Sequence, residues 1–202
     1  MKSFHARATK NATAAMLALS MALGGVALSR CAKNEPTKAD DSTVVDSELL
    51  AFLSLARAHH HEANLLEQSG DMTGAIAALE KIVSAPKPHP GERLPEVEEV
   101  LADTYARMAE LELANKDAAG ARRDVETGLL HVTEPTYFRG HLLEVYGIIE
   151  ETRTAELRDA GNTAEADKAR QHALALLREA VDVQEAVIGR VLDASSGKEG
   201  GR

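Results

Sequence analysis

Aromatic side chains are scarce in this chain: three Phe, three Tyr and no Trp in 202 residues, 3% in all. A core must then come from Ala, Leu, Val and Ile, and small side chains let helices pack at short separations. One cysteine rules out a disulfide framework within the chain. Prolines number six, and three of them fall in Ala85-Pro86-Lys87-Pro88-His89-Pro90-Gly91, leaving long stretches free for helices. No Gly-x-Ser-x-Gly nucleophile elbow occurs. The glycines near the end, Ser196-Gly197-Lys198-Glu199-Gly200-Gly201, follow no strand and precede no helix, so they make no phosphate loop. With Cys31 outside the folded region, the residues offer no catalytic site; the expectation is a protein that is not an enzyme and takes no cofactor.

Positive charge is also short. Residues 1–31 hold four of the 23 Lys and Arg (Lys2, Arg7, Lys10, Arg30) and no acid. The rest carries 19 cations against 32 acids, a net charge of −13. Such a surface repels phosphate backbones and anionic lipid heads, so no nucleic-acid partner is expected.

The first 31 residues read as an address. Lys2, Arg7 and Lys10 make a basic start, and Ala14 to Leu28 is an apolar run broken by Ser20 and Gly24-Gly25. Its length suits the core of a signal peptide better than a membrane span. Leu28-Ser29-Arg30-Cys31 resembles the box of bacterial lipoproteins, in which a lipid is attached to the cysteine. Leu28 and Ser29 fit it, and Arg30 departs from it. The alternative is ordinary cleavage after Ala27-Leu28-Ser29, giving a soluble periplasmic or secreted protein. By the resemblance Cys31 is the lipidation site, and Ala32 favours the outer membrane, facing the periplasm. Membrane contact is then expected only through the lipidated N-terminus. Residues 32–45 are polar and read as a flexible tether, residues 46–193 as the helical domain, and residues 194–202 as a disordered tail.

Apolar residues at helical spacing predict six helices, at about 46–68, 72–84, 94–114, 117–131, 136–159 and from 162 onward for some 30 residues. Asp46 or Ser47, Asp71 and Asp117 are the N-cap candidates, Pro95 starts the third helix, and Asn162 with Glu165 has capping-box spacing. Three turns repeat one theme: Gly70-Asp71, Lys116-Asp117 and Gly161-Asn162, each followed four or five residues later by a small contact residue, Ala75, Ala121 or Ala166. Those alanines lie 46 and 45 residues apart. Self-similarity at this period is the mark of stacked helical hairpins, in which each pair needs a neighbour to bury its second face.

Around the first turn, Ala63, Leu66, Gly70-Asp71, Ala75, Leu79 and Ile82, followed by prolines, stand in the order of a tetratricopeptide repeat. Ala121, Val125 and Gly128 sit at the same offsets in the second unit, and Ala166 and Ala173 in the third, where Arg170 replaces a large apolar residue. The chain resembles that family over residues 46–190, with a period longer than the family's roughly 34 residues. The resemblance implies an all-α fold of antiparallel hairpins stacked as a short right-handed α-solenoid of three repeats. It also implies a concave face, lined by the first helix of each pair, that holds a protein or peptide partner.

Candidate partner-binding residues are His60, Tyr105, His141 and Tyr146, with core packing the competing reading for the two tyrosines. A competing reading takes His59-His60-His61-Glu62 as part of a metal site. Successive helical residues point about 100° apart, so the three histidines cannot converge. His59 and Glu62 could supply two ligands, with a third from another helix such as His141. The acidic groups Glu96/Glu98/Glu99 and Glu150/Glu151 read as solvated faces.

Overall fold

Each helix begins where its sequence supplies a cap and ends where a turn residue permits it. The computed structural model describes residues 46–199, which form α1 (Ser47–Gln68), α2 (Met72–Val83), α3 (Pro95–Ala114), α4 (Ala118–Leu129), α5 (Tyr137–Asp159) and α6 (Thr163–Glu199), with no strand among them. The leader, Cys31 and the tether lie outside the described residues. Asp46, Asp71 and Asp117 accept the backbone N–H of Leu49, Gly74 and Gly120, and Thr136 does the same for Arg139. Each contact satisfies one of the free donors at a helix start. α3 begins instead with Pro95, whose missing N–H would have been free in any case. α6 continues through Glu199, past residue 193 where the sequence ended the domain; no proline interrupts Asp193-Ala194-Ser195-Ser196.

The three recurring turns share one backbone geometry. Asp71 N–H donates to Leu66 O and Gly70 N–H to Glu67 O; Asp117 donates to Glu112 O and Lys116 to Leu113 O; Asn162 donates to Leu157 O and Gly161 to Arg158 O. All three are Schellman ends, which place the residue after the helix in the left-handed region. Gly70 (φ +85°) and Gly161 (φ +80°) adopt it freely, whereas Lys116 is held there at φ +66°.

The helices pack in a pattern that recurs. Consecutive helices touch, giving the hairpins α1/α2, α3/α4 and α5/α6. First helices also touch first helices, α1 with α3 and α3 with α5. Second helices have no such contact with one another. The array is therefore a helical-hairpin stack built in one direction, with α3 central. Val97, Leu101, Met108 and Leu111 of α3 pack with α1 and α2 around Phe52, Leu79 and Ile82. Its Ala102, Ala106 and Ala109 pack with α4, α5 and α6 around Val125, Leu142 and Ile149. At the seam of α3, α4 and α5, a Cβ on Gly128 would lie 2.7 Å from Leu142 and 2.9 Å from the Tyr105 Cβ. Glycine is there for close approach rather than for its backbone freedom.

The proline-rich connection is tied down by side chains. Lys87 Nζ donates to the carbonyls of Ile82, Val83 and Ala85 at 2.9–3.2 Å, satisfying the end of α2. His89 binds Asp46 at 2.8 Å, anchoring the loop to the start of α1.

Relieving the left-handed Lys116 is expected to stabilise the fold: Lys116→Gly should gain about 1 kcal/mol, and Gly70→Ala or Gly161→Ala should lose about as much. Chemical denaturation of the three variants checks this; equal effects at all three turns would contradict it.

Candidate functional site

Polar residues on α1, α3 and α5 form a line of two contact groups across the first helices of the three hairpins. On α3, Asp103, Arg107 and Glu110 recur at a spacing that places them on one face. Arg107 pairs with Glu67 of α1 and, at 3.0 Å, with Glu110. Glu110 in turn meets His141 of α5 at 3.4 Å. His141 stacks on Tyr137, with ring centroids 6.0 Å apart, and Tyr137 is exposed. At the α1 end, His60 reaches Thr104 at 3.1 Å and Asp103 at 3.9 Å. The Thr104 hydroxyl already donates to Val100 O at 2.7 Å. Its oxygen must therefore accept from His60, so the His60 proton sits on Nε2.

The two histidines respond to this setting in opposite ways. Burial pushes His60 below its ordinary value, only partly opposed by the Asp103 carboxylate. The hydrogen bond to Glu110 raises His141, and Glu110 is lowered by the same contact. Near neutral pH the line thus holds a neutral imidazole at one end and a more readily protonated one at the other. Nδ1 of His141 is buried with no hydrogen-bond partner.

Of the four residues expected to hold a partner, His60 and His141 lie on this line. Tyr105 and Tyr146 do not. Tyr105 is half-buried, stacked on His131 at 5.6 Å and against the α4 seam. Tyr146 is 7% exposed; its hydroxyl donates to Glu126 at 2.6 Å, and its ring takes Arg122 on its face and His172 on its edge. Both were placed on the right helices, but on flanks that adjoining helices cover. Asp103, Arg107, Glu110 and Glu67 were missed, although the recurrence of three of them on one helix face was available in the sequence.

His59 and Glu62 do meet, at 2.8 Å, but Glu62 also receives Lys81 at 3.1 Å, an ammonium where a metal reading would want a further ligand. His61 is exposed and His141 belongs to Glu110. No three His, Cys, Asp or Glu residues gather in a metal-binding arrangement among the described residues.

In each of the two acidic groups read as solvated faces one residue proves to be structural, while Glu96 and Glu151 are exposed. Glu98 is half-buried between Arg93 and His131. Glu150 is fully buried and surrounded by Arg122 at 2.9 Å, Arg153 at 3.4 Å and His172 at 3.6 Å, from three helices. A buried carboxylate is tolerable only with such compensation. At the α3/α4 seam, Glu112 is pushed up to about 7, first by burial and then by the neighbouring Asp124 and Asp117 carboxylates. Burial likewise raises Asp124, and one buried oxygen of each lacks a hydrogen-bond partner.

NMR titration should show His60 protonating below, and His141 above, a free histidine, with Glu110→Gln returning His141 toward the ordinary value and leaving His60 in place. For Glu112, a folded value above the unfolded one means stability fully present below about 4.5 and lost as pH rises through about 7. Glu112→Gln should therefore stabilise the protein above pH 7 and make no difference near pH 4, read as the difference in Tm between variant and wild type across that range. Among known proteins, no family model and no curated protein matches the chain.

Proposed function

We propose that this protein is a non-enzymatic scaffold of the bacterial cell envelope that holds a protein or peptide partner on the face formed by α1, α3 and α5. The reading rests on the tetratricopeptide-like order of residues at the hairpin turns and on a lipoprotein-type leader ending at Cys31. Lipid on Cys31, with residues 32–45 as tether, would display the domain from the outer membrane into the periplasm. The observation that carries the reading is the line from His60 through Asp103, Arg107 and Glu110 to His141 and Tyr137. It offers fixed donors and acceptors beside an exposed ring, the mixture of polar fixing points and aromatic anchor that protein interfaces use. Its helices are held by packing on their other flanks, so a partner would meet a preorganised surface.

Photo-crosslinking residues placed one at a time at His60, Arg107 and His141 should give one shared adduct in envelope preparations. Controls at Ala77 and Ala119, exposed on second helices, should not. Adducts of equal yield at both sets, or none at the first, would reject the proposed face.

A further inference from the structure

The stack ends on an apolar edge. Terminal units of helical arrays ordinarily present a polar outer surface, because no further repeat covers them. Here α6 carries Leu174 (42% exposed), Val181 (55%) and Ile188 (58%) at intervals of seven residues, which places them in one row along the helix. The row continues into a groove between α5 and α6 lined by Thr154, Ala155, Ala173, Leu174 and Leu177 together with Glu151, Arg158 and Arg170. It shares no residue with the line from His60 to Tyr137.

We propose that this edge is the two-fold interface of a homodimer in which α6 of one copy packs antiparallel against α6 of the other, centred on Val181. The charges beside the row argue for a second copy over another occupant. Arg178 lies three residues before Val181 and Glu185 four after it, so both stand on one flank of the row. Antiparallel pairing about Val181 sets Leu174 against Ile188 of the partner and Arg178 against Glu185 of the partner. The axis repeats each match, as an isologous contact requires. Arg178 and Glu185 are exposed and enter no ion pair among the described residues. A parallel pairing would instead set this flank against the partner's opposite flank, that of Leu177 and Gln184, and leave both charges unmatched. A row of heptad-spaced apolar residues flanked by charges that match only when reversed is the pattern of an antiparallel helical seam.

Sedimentation equilibrium of the full purified chain tests this. The wild type should be a dimer at micromolar concentration, and Val181→Asp a monomer with unchanged helical circular dichroism. Arg178→Glu alone and Glu185→Arg alone should each weaken the dimer by roughly tenfold or more, since each turns two attractions into repulsions. The double variant Arg178→Glu with Glu185→Arg should regain most of that loss. A wild type that stays monomeric at 100-fold higher concentration would overturn the proposal, and so would a double variant no tighter than the singles.

Discussion

The helices of this array approach closely because the residues between them are small, and the rest of the architecture follows from that separation. Ala63, Ala75, Ala109, Ala121 and Ala166 are all buried at hairpin seams. A Cβ on Gly147 would lie 2.7 Å from Leu177, and one on Gly128 as close to Leu142. Such seams bring backbones to the short end of the usual interaxial range and leave little volume for large side chains. A chain with six aromatic residues in 202 can bury a core this way, by many short contacts instead of a few large ones. The consequence is extension. An alanine seam fills one flank of a helix and leaves the other needing a neighbour, so α3 is covered on both sides and the hairpins must stack.

Close packing also decides which polar residues end up inside. When backbones lie near one another, side chains longer than the gap must run along it, and their charged ends meet across three helices. Glu150 is the clearest instance: α5 buries it, α4 supplies Arg122 and α6 supplies His172. Removing any one partner from such a site leaves an uncompensated charge, so the cluster fixes the relative placement of α4, α5 and α6 more than it adds to stability. The line on α1, α3 and α5 works by the same logic at half burial. Arg107 joins α1 to α3, and Glu110 joins α3 to α5, so the register of the first helices is set by the groups proposed to meet a partner.

Helix positions were legible because their signals are local. Caps at Asp71 and Asp117, the start at Pro95 and the glycine turns each act within a few residues, and apart from the far end of α6 the elements begin and end within two residues of the positions read from them. The inner face of α3, Val97 to Leu111, was legible for the same reason: periodicity reports which flank is apolar. Periodicity does not report which neighbour covers which flank. For Tyr105 and Tyr146 the sequence placed the helices and left core packing and partner contact both open, because the side a helix turns to its hairpin partner is a tertiary fact. Glu150 was misread for the complementary reason. Beside the exposed Glu151 it looks like a solvated pair, and only the Arg122 and His172 brought by other helices make its burial possible.

A stack of hairpins has no internal reason to stop at three, since each pair added covers one apolar edge and exposes another. Something at each end must break that recurrence. At the start, the proline loop does part of it: Lys87 lies over the ring of Phe52 and His89 holds Asp46, so α1 is partly roofed by its own chain. The third turn keeps the geometry of the first two, yet the helix after it is 37 residues long where its counterparts have 12. Length beyond what α5 can cover does not close a stack; it extends the apolar edge. A polar face would have ended the array at little loss of packing, because Leu174, Val181 and Ile188 are 42%, 55% and 58% exposed. Leu174, Val181 and Ile188 in their place make the end of the repeat a surface that a second α6 can complete.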